Sequence, residues 1–345
     1  MSSSHFSLAI GIGSKNLKGE WLEVFYPQPI LNPDAKLLES ISGLIDYQGG
    51  NAFIELDSKT CHALEDLFVG LEEKELAAIM LSLEESNQPR VITILESDAV
   101  PSSTPEAYLK LHLLSHRLVK PHGVNLQGIF PLLPNVAWTS EGAIDLGELP
   151  ARQLKARSEG RVLSVNSVDK FPKMTDYVVP TGVRIAHTAR VRLGAYVGEG
   201  TTIMHEGFVN FNGGTEGKSM IEGRVSAGVM VGEGSDLGGG CSIMGTLSGG
   251  GNIVISVGKN SLIGANSGLG IPLGDHCIIE SGLYITAGSK VNVLDDKRNV
   301  VESIKASELS GKNDLLFRRN SLNGAIECLT NKSAIELNDE LHSHN

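Results

Sequence analysis

No apolar stretch of this chain reaches the roughly 18 to 20 residues that cross a bilayer, which excludes a helical membrane protein. The opening Met1-Ser2-Ser3-Ser4-His5 lacks the basic start and cleavage pattern of a secretory leader, so a cytoplasmic protein is expected. Cysteine is scarce. Cys61, Cys241, Cys277 and Cys328 show no C-x-x-C or similar metal spacing, a pattern that fits reduced thiols. Positive charge is in deficit, with 29 Lys and Arg against 40 Asp and Glu and a net charge of −11. That balance argues against nucleic acid and against an anionic membrane surface, but leaves room for a small anion where cations gather. Gly11-Ile12-Gly13 lacks the spacing of a dinucleotide fingerprint and is discounted.

Glycine is in excess, and in one place: of the 40, 26 fall between Gly182 and Gly288. In the same third of the chain an aliphatic recurs every sixth residue, at Ile185, Val191, Val197, Ile203 and Val209. A helix repeats its buried face every 3.6 residues and a half-buried strand every 2, so neither accounts for six. A period of six suits a short strand, a corner and a new strand. Three such sides close a coil of about 18 residues with one aliphatic per side pointing inward, the signature of a parallel β-helix. The frame resumes at Ile221, shifts, and runs through Val225, Val231, Leu237 and Ile243. After an insertion around Gly249-Gly250-Gly251 it returns at Val257, Ile263 and Leu269, then at Ile279, Ile285 and Val291. Small residues after the aliphatic, such as Gly198 and Gly264, let the backbone turn the corner.

A chain of 345 residues exceeds one ordinary core. Residues 1–165 read as an α+β domain, with strands expected over 7–12, 52–56 and 91–95. One or two amphipathic helices are expected over 61–83, and another over 105–116, opened by Ser103-Thr104-Pro105-Glu106. Residues 166–180 link this domain to the β-helix, 181–294. A C-terminal segment, 295–345, brings a turn over 295–299, a strand-like stretch, the run Phe317-Arg318-Arg319-Asn320-Ser321 and a frayed end over 338–345. A β-helix of about six coils has open ends and flat sides. Outward residues such as Tyr196, Phe208, Met230 and Tyr284 predict burial against copies of the same chain, as a homotrimer.

The densest unusual run is Met204-His205-Glu206-Gly207-Phe208-Val209-Asn210-Phe211-Asn212, after which the chain is expected to leave the frame through 213–217. In an 18-residue coil His205 stacks above His187 and below Gly223. Glu206 reads either as a base or nucleophile, or as a solvated corner acid beside a packing histidine. Residues 223–228 break the frame as a site or as a bulge, and Gly249-Gly250-Gly251 reads as a loop tip or a place of close ligand approach. Between Lys290 and Arg319 seven cations face five acids, so Lys305, Arg318 and Arg319 read as phosphate ligands or as a solvated face. His187, His205 and His276 contain no H-x-x-x-x-H pair, and a catalytic zinc is not expected.

Residues 204–212, Glu222-Gly223-Arg224-Val225-Ser226, Gly264-Ala265-Asn266-Ser267-Gly268-Leu269-Gly270 and Phe317–Ser321 together resemble the tetrahydrodipicolinate N-succinyltransferase family, in its longer branch with an α/β N-terminal domain. The resemblance implies a left-handed parallel β-helix, an uncommon hand for parallel crossovers, assembled as a trimer. It implies transfer of succinyl from succinyl-CoA to the amino group of tetrahydrodipicolinate, a dicarboxylate, in lysine and diaminopimelate synthesis. Glu206 would be the catalytic carboxylate, as acyl-anhydride nucleophile or as general base. Gly223, Ser226, Glu280, Ser281, Gly288, Lys305, Arg319, Asn320 and Ser321 would bind the coenzyme. The family also implies magnesium (Mg2+) at the trimer axis, through ligands not matched in this sequence. Arg184, Arg190, Arg192 and Arg224 are candidates to clamp the dicarboxylate, and N–H groups of 223–228 to meet an oxyanion. Two other readings stand beside this one: a hexapeptide acyltransferase that uses acetyl-CoA and a different acceptor, and a non-catalytic β-helical trimer that serves as a binding module.

Overall fold

In the computed structural model, which describes residues 5–245 and 253–330, the chain divides into two compact units. The first takes in residues 5–118, 123–172 and 176–178, and the second 119–122, 173–175 and everything from 179 onward. Gly249-Gly250-Gly251 and residues 338–345 lie outside the described residues.

Five antiparallel strands form the sheet of the first unit: β1 (Ser7–Lys15), β2 (Trp21–Phe25), β3 (Ile30–Leu31), β4 (Ala52–Glu55) and β5 (Arg90–Leu95). Their spatial order is β2-β1-β5-β4, with β3 paired to one end of β1. Leu8 and Ile10 of β1 and Ile92 and Ile94 of β5 pack with Ile41 of α1 (Ala35–Ser42), Leu64 and Phe68 of α2 (Ser58–Gly70), and Met80 of α3 (Lys74–Glu84). Strand alternation sends Thr93 to the other face. There the Tyr26 hydroxyl lies 2.7 Å from Thr93 Oγ1 and donates to Pro105 O of α4 (Thr104–Ser115). Ser103 caps α4, as Ser-Thr-Pro-Glu predicts. The expected amphipathic stripe is absent: residues 105–115 are buried on every side. Its polar groups are satisfied inside instead, and Lys110 Nζ donates to Asp98 Oδ1 (2.5 Å), Ala99 O and Asn125 O. A second antiparallel sheet, ordered β7-β6-β8, comprises β6 (Val136–Thr139), β7 (Gly142–Asp145) and β8 (Val165–Asp169). Trp138 Nε1 closes it on Asp169 O. Neither these three strands nor β2 was expected, because their apolar residues do not alternate cleanly.

The second unit is the parallel β-helix, built from strands mostly two residues long. Three faces emerge from the pairing. Ile185, Ile203, Ile221, Leu237, Ile263 and Ile279 stack on the first face. Val209, Val225, Ile243, Leu269 and Ile285 stack on the second, with Val191 bridged to Val209. Val197, Thr215, Val231 and Val257 stack on the third. Apart from the half-buried Ile185 these inward residues are buried. Each aliphatic removed from water contributes about 1.5 to 3 kcal/mol, repeated coil after coil. The C-terminal segment continues the first face: Phe317 of Leu315–Arg319 pairs with Ile279, and Ile326–Thr330 folds back on that strand. Asp295 makes the expected turn, accepting from the N–H groups of Lys297 and Asn299.

Of the two expected departures from the frame, the exit over 213–217 is absent and the shift after Ile221 is present. The chain does not leave the coil over 213–217, because Gly214–Thr215 is a strand of the third face. Thr215 fills an aliphatic slot with a side chain of valine's shape, and its hydroxyl meets Thr201 Oγ1 at 2.8 Å. The slip comes at the next corner. Four residues (204–207) separate Ile203 from Phe208, but only Glu222 and Gly223 separate Ile221 from Arg224. Phe208 therefore pairs with Arg224, sixteen residues on, where the coil below has eighteen. Gly223 lies beside Gly207 rather than over His205, and its carbonyl accepts the Phe208 N–H at 3.0 Å.

Candidate active site

Corners concentrate the side chains that the faces cannot hold. On the edge between the first and second faces, the corner 204–207 stands over His187 and Arg190 of the coil below and under the shortened corner Glu222-Gly223 of the coil above. A side chain at Gly223 would overlap Cys241 Sγ, so this tight corner needs glycine, and the Met204–Gly207 corner projects past it.

Glu206 occupies that projection with both oxygens engaged. Arg190 Nη2 donates to Oε2 at 2.8 Å. His205 Nδ1 lies 3.0 Å from Oε1. The Glu206 side chain is 66% exposed and that of His205 70%. His187 meets the His205 ring edge-on, with centroids 5.2 Å apart, as the 18-residue stacking predicts. A charge-assisted bond to a guanidinium and a second to an imidazole hold the carboxylate in one orientation. His276 belongs to another corner, where it pairs with Asp314.

The other expected site residues fall into groups. Gly223, Glu280 and Ser281 share the first–second edge with Glu206. The coils of Glu206 and Ser281 are four strand spacings apart, about 19 Å. Glu280 Oε2 accepts the Arg319 N–H at 2.7 Å, which brings these two together. Arg319 Nη1 turns back to Gly324 O, Asn320 Nδ2 donates to Glu327 Oε1, and Ser321 is exposed. The Asn320 bond, with Arg318 beside it, holds the Glu327 carboxyl below its ordinary value.

Ser226 and Gly288 lie instead on the second–third edge. The Ser226 hydroxyl donates to Ile243 O at 2.6 Å. Gly288 faces open space, and its neighbours Ala287 and Ser289 accept the N–H groups of Ser307 and Ala306, next to exposed Lys305. A small cleft lined by Ile271, Pro272, Ala287 and Ser307 adjoins it. Along the chain the expected coenzyme residues therefore flank both sides of the second face.

Among the candidate arginines, Arg190 and Arg224 border the Glu206 edge; Arg190 is engaged by Glu206, and Arg224 Nε lies 3.4 Å from Ser242 Oγ. Arg192 bonds Asn210. Arg184 lines a cavity of about 470 Å³ with Lys218, on the edge between the third and first faces. One contributor escaped the sequence reading. Residues 119–122 join the second unit, where the His122 N–H donates to Asn212 Oδ1, His122 Nε2 lies 2.8 Å from Gly228 O, and Lys120 pairs with Glu216. No periodicity in the sequence marks that strap.

Comparison with known proteins bears on this geometry. A family model described as "Tetrahydrodipicolinate N-succinyltransferase middle" matches residues 133–173, the stretch that holds β6 to β8. A second, "Hexapeptide repeat of succinyl-transferase", matches residues 254–287. The chain is 67% identical to the 2,3,4,5-tetrahydropyridine-2,6-dicarboxylate N-succinyltransferase of Pseudomonas putida over the whole of both chains. It is 58% identical to the protein of that name from Vibrio cholerae, over 99% of this chain and all of the other. A crystal structure from Campylobacter jejuni, described as a proposed 2,3,4,5-tetrahydropyridine-2-carboxylate N-succinyltransferase, superposes with a TM-score of 0.87 at 33% identity, covering 96% of this chain and 94% of that one.

Proposed function

Because the chain belongs to the tetrahydrodipicolinate N-succinyltransferase family, as relatives 58% and 67% identical along their whole length require, we propose that its projecting corner transfers succinyl from succinyl-CoA to the amino group of tetrahydrodipicolinate, with Glu206 as the catalytic carboxylate. The chain is an N-acyltransferase of succinyl groups. Its place is the cytoplasmic synthesis of diaminopimelate and lysine. The observation that carries the residue assignment is the Glu206 carboxylate held between Arg190 and His205 on an exposed corner.

Two routes use that carboxylate. In one, a Glu206 oxygen attacks the thioester carbonyl, a C–O bond forms, the C–S bond breaks, and the thiolate leaves behind a mixed anhydride. The acceptor amine then opens the anhydride, and the carboxylate returns. In the other, Glu206 takes a proton from the amine, which attacks the thioester directly. Backbone N–H groups within residues 223–228 are candidate donors to the developing oxyanion, other than those of Arg224 and Gly228, which Cys241 O and Asn212 O accept.

The split of the expected coenzyme residues between two edges supports a homotrimer. A groove between protomers can use the Glu206 edge of one and the Ser226–Gly288 edge of its neighbour, so a long co-substrate spans both. Tyr284, 46% exposed, and the half-buried Tyr196, Phe208 and Met230 are the outward side chains such packing would cover. Magnesium on a trimer axis would take its ligands from three copies of the chain, and no residue of the β-helix is matched to that role. Among the described residues the three donors close enough to share an ion are His62, Glu65 and Glu84, which belong to the first unit and not to the β-helix. No step is routed through a metal.

A thiol-release assay tests the reading. Succinyl-CoA with tetrahydrodipicolinate is expected to turn over, and acetyl-CoA to do so far more slowly. Acetyl-CoA matching it, without need of the cyclic acceptor, would favour the rival acyltransferase. Glu206→Gln is expected to lower turnover by about 10² to 10⁴ while succinyl-CoA still binds. Turnover within a few-fold of the parent would remove Glu206 from the chemistry.

A further inference from the structure

The alkyl amine of the acceptor is an ammonium ion near neutral pH and must lose a proton before it attacks. In the anhydride route Glu206 is acylated at that moment and cannot take the proton. We propose that His205 is the group that takes it in that route, through Nε2. The inference rests on the succinyl-transfer reading and assigns the proton transfer within it.

The geometry carries the assignment. An ionised carboxylate only accepts hydrogen bonds, so the nitrogen 3.0 Å from Glu206 Oε1, His205 Nδ1, carries the hydrogen. A neutral imidazole protonated at Nδ1 leaves Nε2 bare and basic, the same division of labour by which a carboxylate orients a catalytic histidine elsewhere. Among the described residues no hydrogen-bond partner occupies Nε2, and the ring is 70% exposed. His187, edge-on at 5.2 Å, limits how far the ring can swing. Arg190 holds the far oxygen of Glu206, so the carboxylate cannot rotate away without losing a charge-assisted bond. The ring needs this support because an exposed side chain is otherwise free to change rotamer.

Proton and electron bookkeeping closes without an added reagent. The ammonium gives one proton to Nε2, its freed lone pair forms the C–N bond, and the succinyl carbon releases the Glu206 carboxylate, the thiolate having left when the anhydride formed. The imidazolium passes its proton to the thiolate, and the second amine proton goes through the same nitrogen to water. Charged or titratable groups around the ring are Glu206 on its own corner, His187 and Arg190 on the coil below, and Glu222 on the corner above.

The test compares wild type, His205→Gln and His205→Gly by thiol release from succinyl-CoA with tetrahydrodipicolinate, across about pH 5.5 to 9. His205→Gln is expected to lose about 10² to 10⁴ in kcat with little change in KM for succinyl-CoA, and to lose the acid limb of the wild-type kcat/KM profile. Free imidazole is expected to restore His205→Gly by at least about tenfold, a result that a merely structural histidine would not give. Activity of His205→Gln within about fivefold of the parent, or a loss that imidazole leaves unrestored, overturns the assignment. A wild-type enzyme that releases no thiol overturns the succinyl-transfer reading itself, and this inference with it.

Discussion

The two units bury their chains by opposite means. In the β-helix each inward slot holds one side chain of nearly fixed size, and among the described residues no slot holds a titratable group. The first unit buries Lys110, His112, Glu23 and Tyr26 among its aliphatics and satisfies them through internal hydrogen bonds. Most charge in the β-helix stays outside its core, as at the corner of Glu206, His205 and Arg190, and the buried Asp236 is held by the Met220 N–H at 2.8 Å. The first unit also carries exposed ion pairs, such as Glu141 with Arg152 and Arg161, but it takes Glu23, Glu106 and Lys110 inward. The chemistry open to Glu206 and to Lys110 thus depends on their settings: exposed and oriented in one, buried and paired in the other. A coil also depends mainly on its immediate neighbours, so the β-helix can shorten one corner at Glu222-Gly223 without disturbing the stack.

The largest effect that could break this contrast is on Lys110. Its ammonium is fully buried and bonded to Asp98, Ala99 and Asn125. Lys110→Met leaves the Asp98 carboxylate and two carbonyls short of a donor, and is expected to destabilise the first unit by about 3 kcal/mol in denaturant unfolding. Thiol release by the folded fraction is expected to stay unchanged, the reverse of the pattern at Glu206. A loss below about 1 kcal/mol would show that the buried network is incidental to the fold.

A pH titration sharpens the contrast next. The His112 Nδ1–H donates to Tyr108 O, and Nε2 accepts the Tyr26 N–H, so the folded state holds a neutral ring. Burial pushes its pKa down to about 3, and partial burial lowers that of His116 as well. With the folded value below the unfolded one, the unfolded chain binds the extra proton. Stability is complete above the ordinary imidazole range and is lost as pH falls through it. From pH 7 to 5 that loss is about 2 kcal/mol in the first unit. Glu23, whose pKa burial raises, opposes it in part, because its penalty eases as pH falls. Hydrogen exchange is expected to show the slope at amides such as Ile92 and not at Val209 or Ile263, and His112→Gln is expected to flatten it. Equal slopes in both units would erase the distinction.

How much of this was legible in the sequence follows the same divide. The period of six survives in the sequence because inward slots accept almost nothing but Ile, Val and Leu. Corner length survives only as an offset in that period, as between Ile221 and Val225, since corner residues have no fixed identity. Thr215 looked like an exit from the coil because a polar residue stood in a slot, and only the Thr201 hydroxyl explains it. Glu206 stood out by its neighbours in the run 204–212, whereas its bond to Arg190 needs the geometry of a corner. In the first unit the chain gave α4 an amphipathic reading because Lys110 and His112 look like solvent residues until their internal partners are known.

The smallest effect tests whether the β-helix tolerates a polar slot only by pairing it. Thr215 and Thr201 are both buried and share one hydrogen bond of 2.8 Å, and the Gly198 N–H also approaches Thr215 Oγ1. Thr215→Val keeps the volume but strands the Thr201 hydroxyl, which is expected to cost about 1 kcal/mol or a little more. Thr201→Val removes the same bond, leaving Thr215 Oγ1 only the Gly198 N–H at 3.3 Å. With both replaced no hydroxyl is left unpaired, so the double variant is expected to be more stable than either single one, with a coupling of about 1 kcal/mol in a double-mutant cycle. Additive losses would mean that each hydroxyl is satisfied separately, and the β-helix would then bury polar groups by the same internal networks as the first unit.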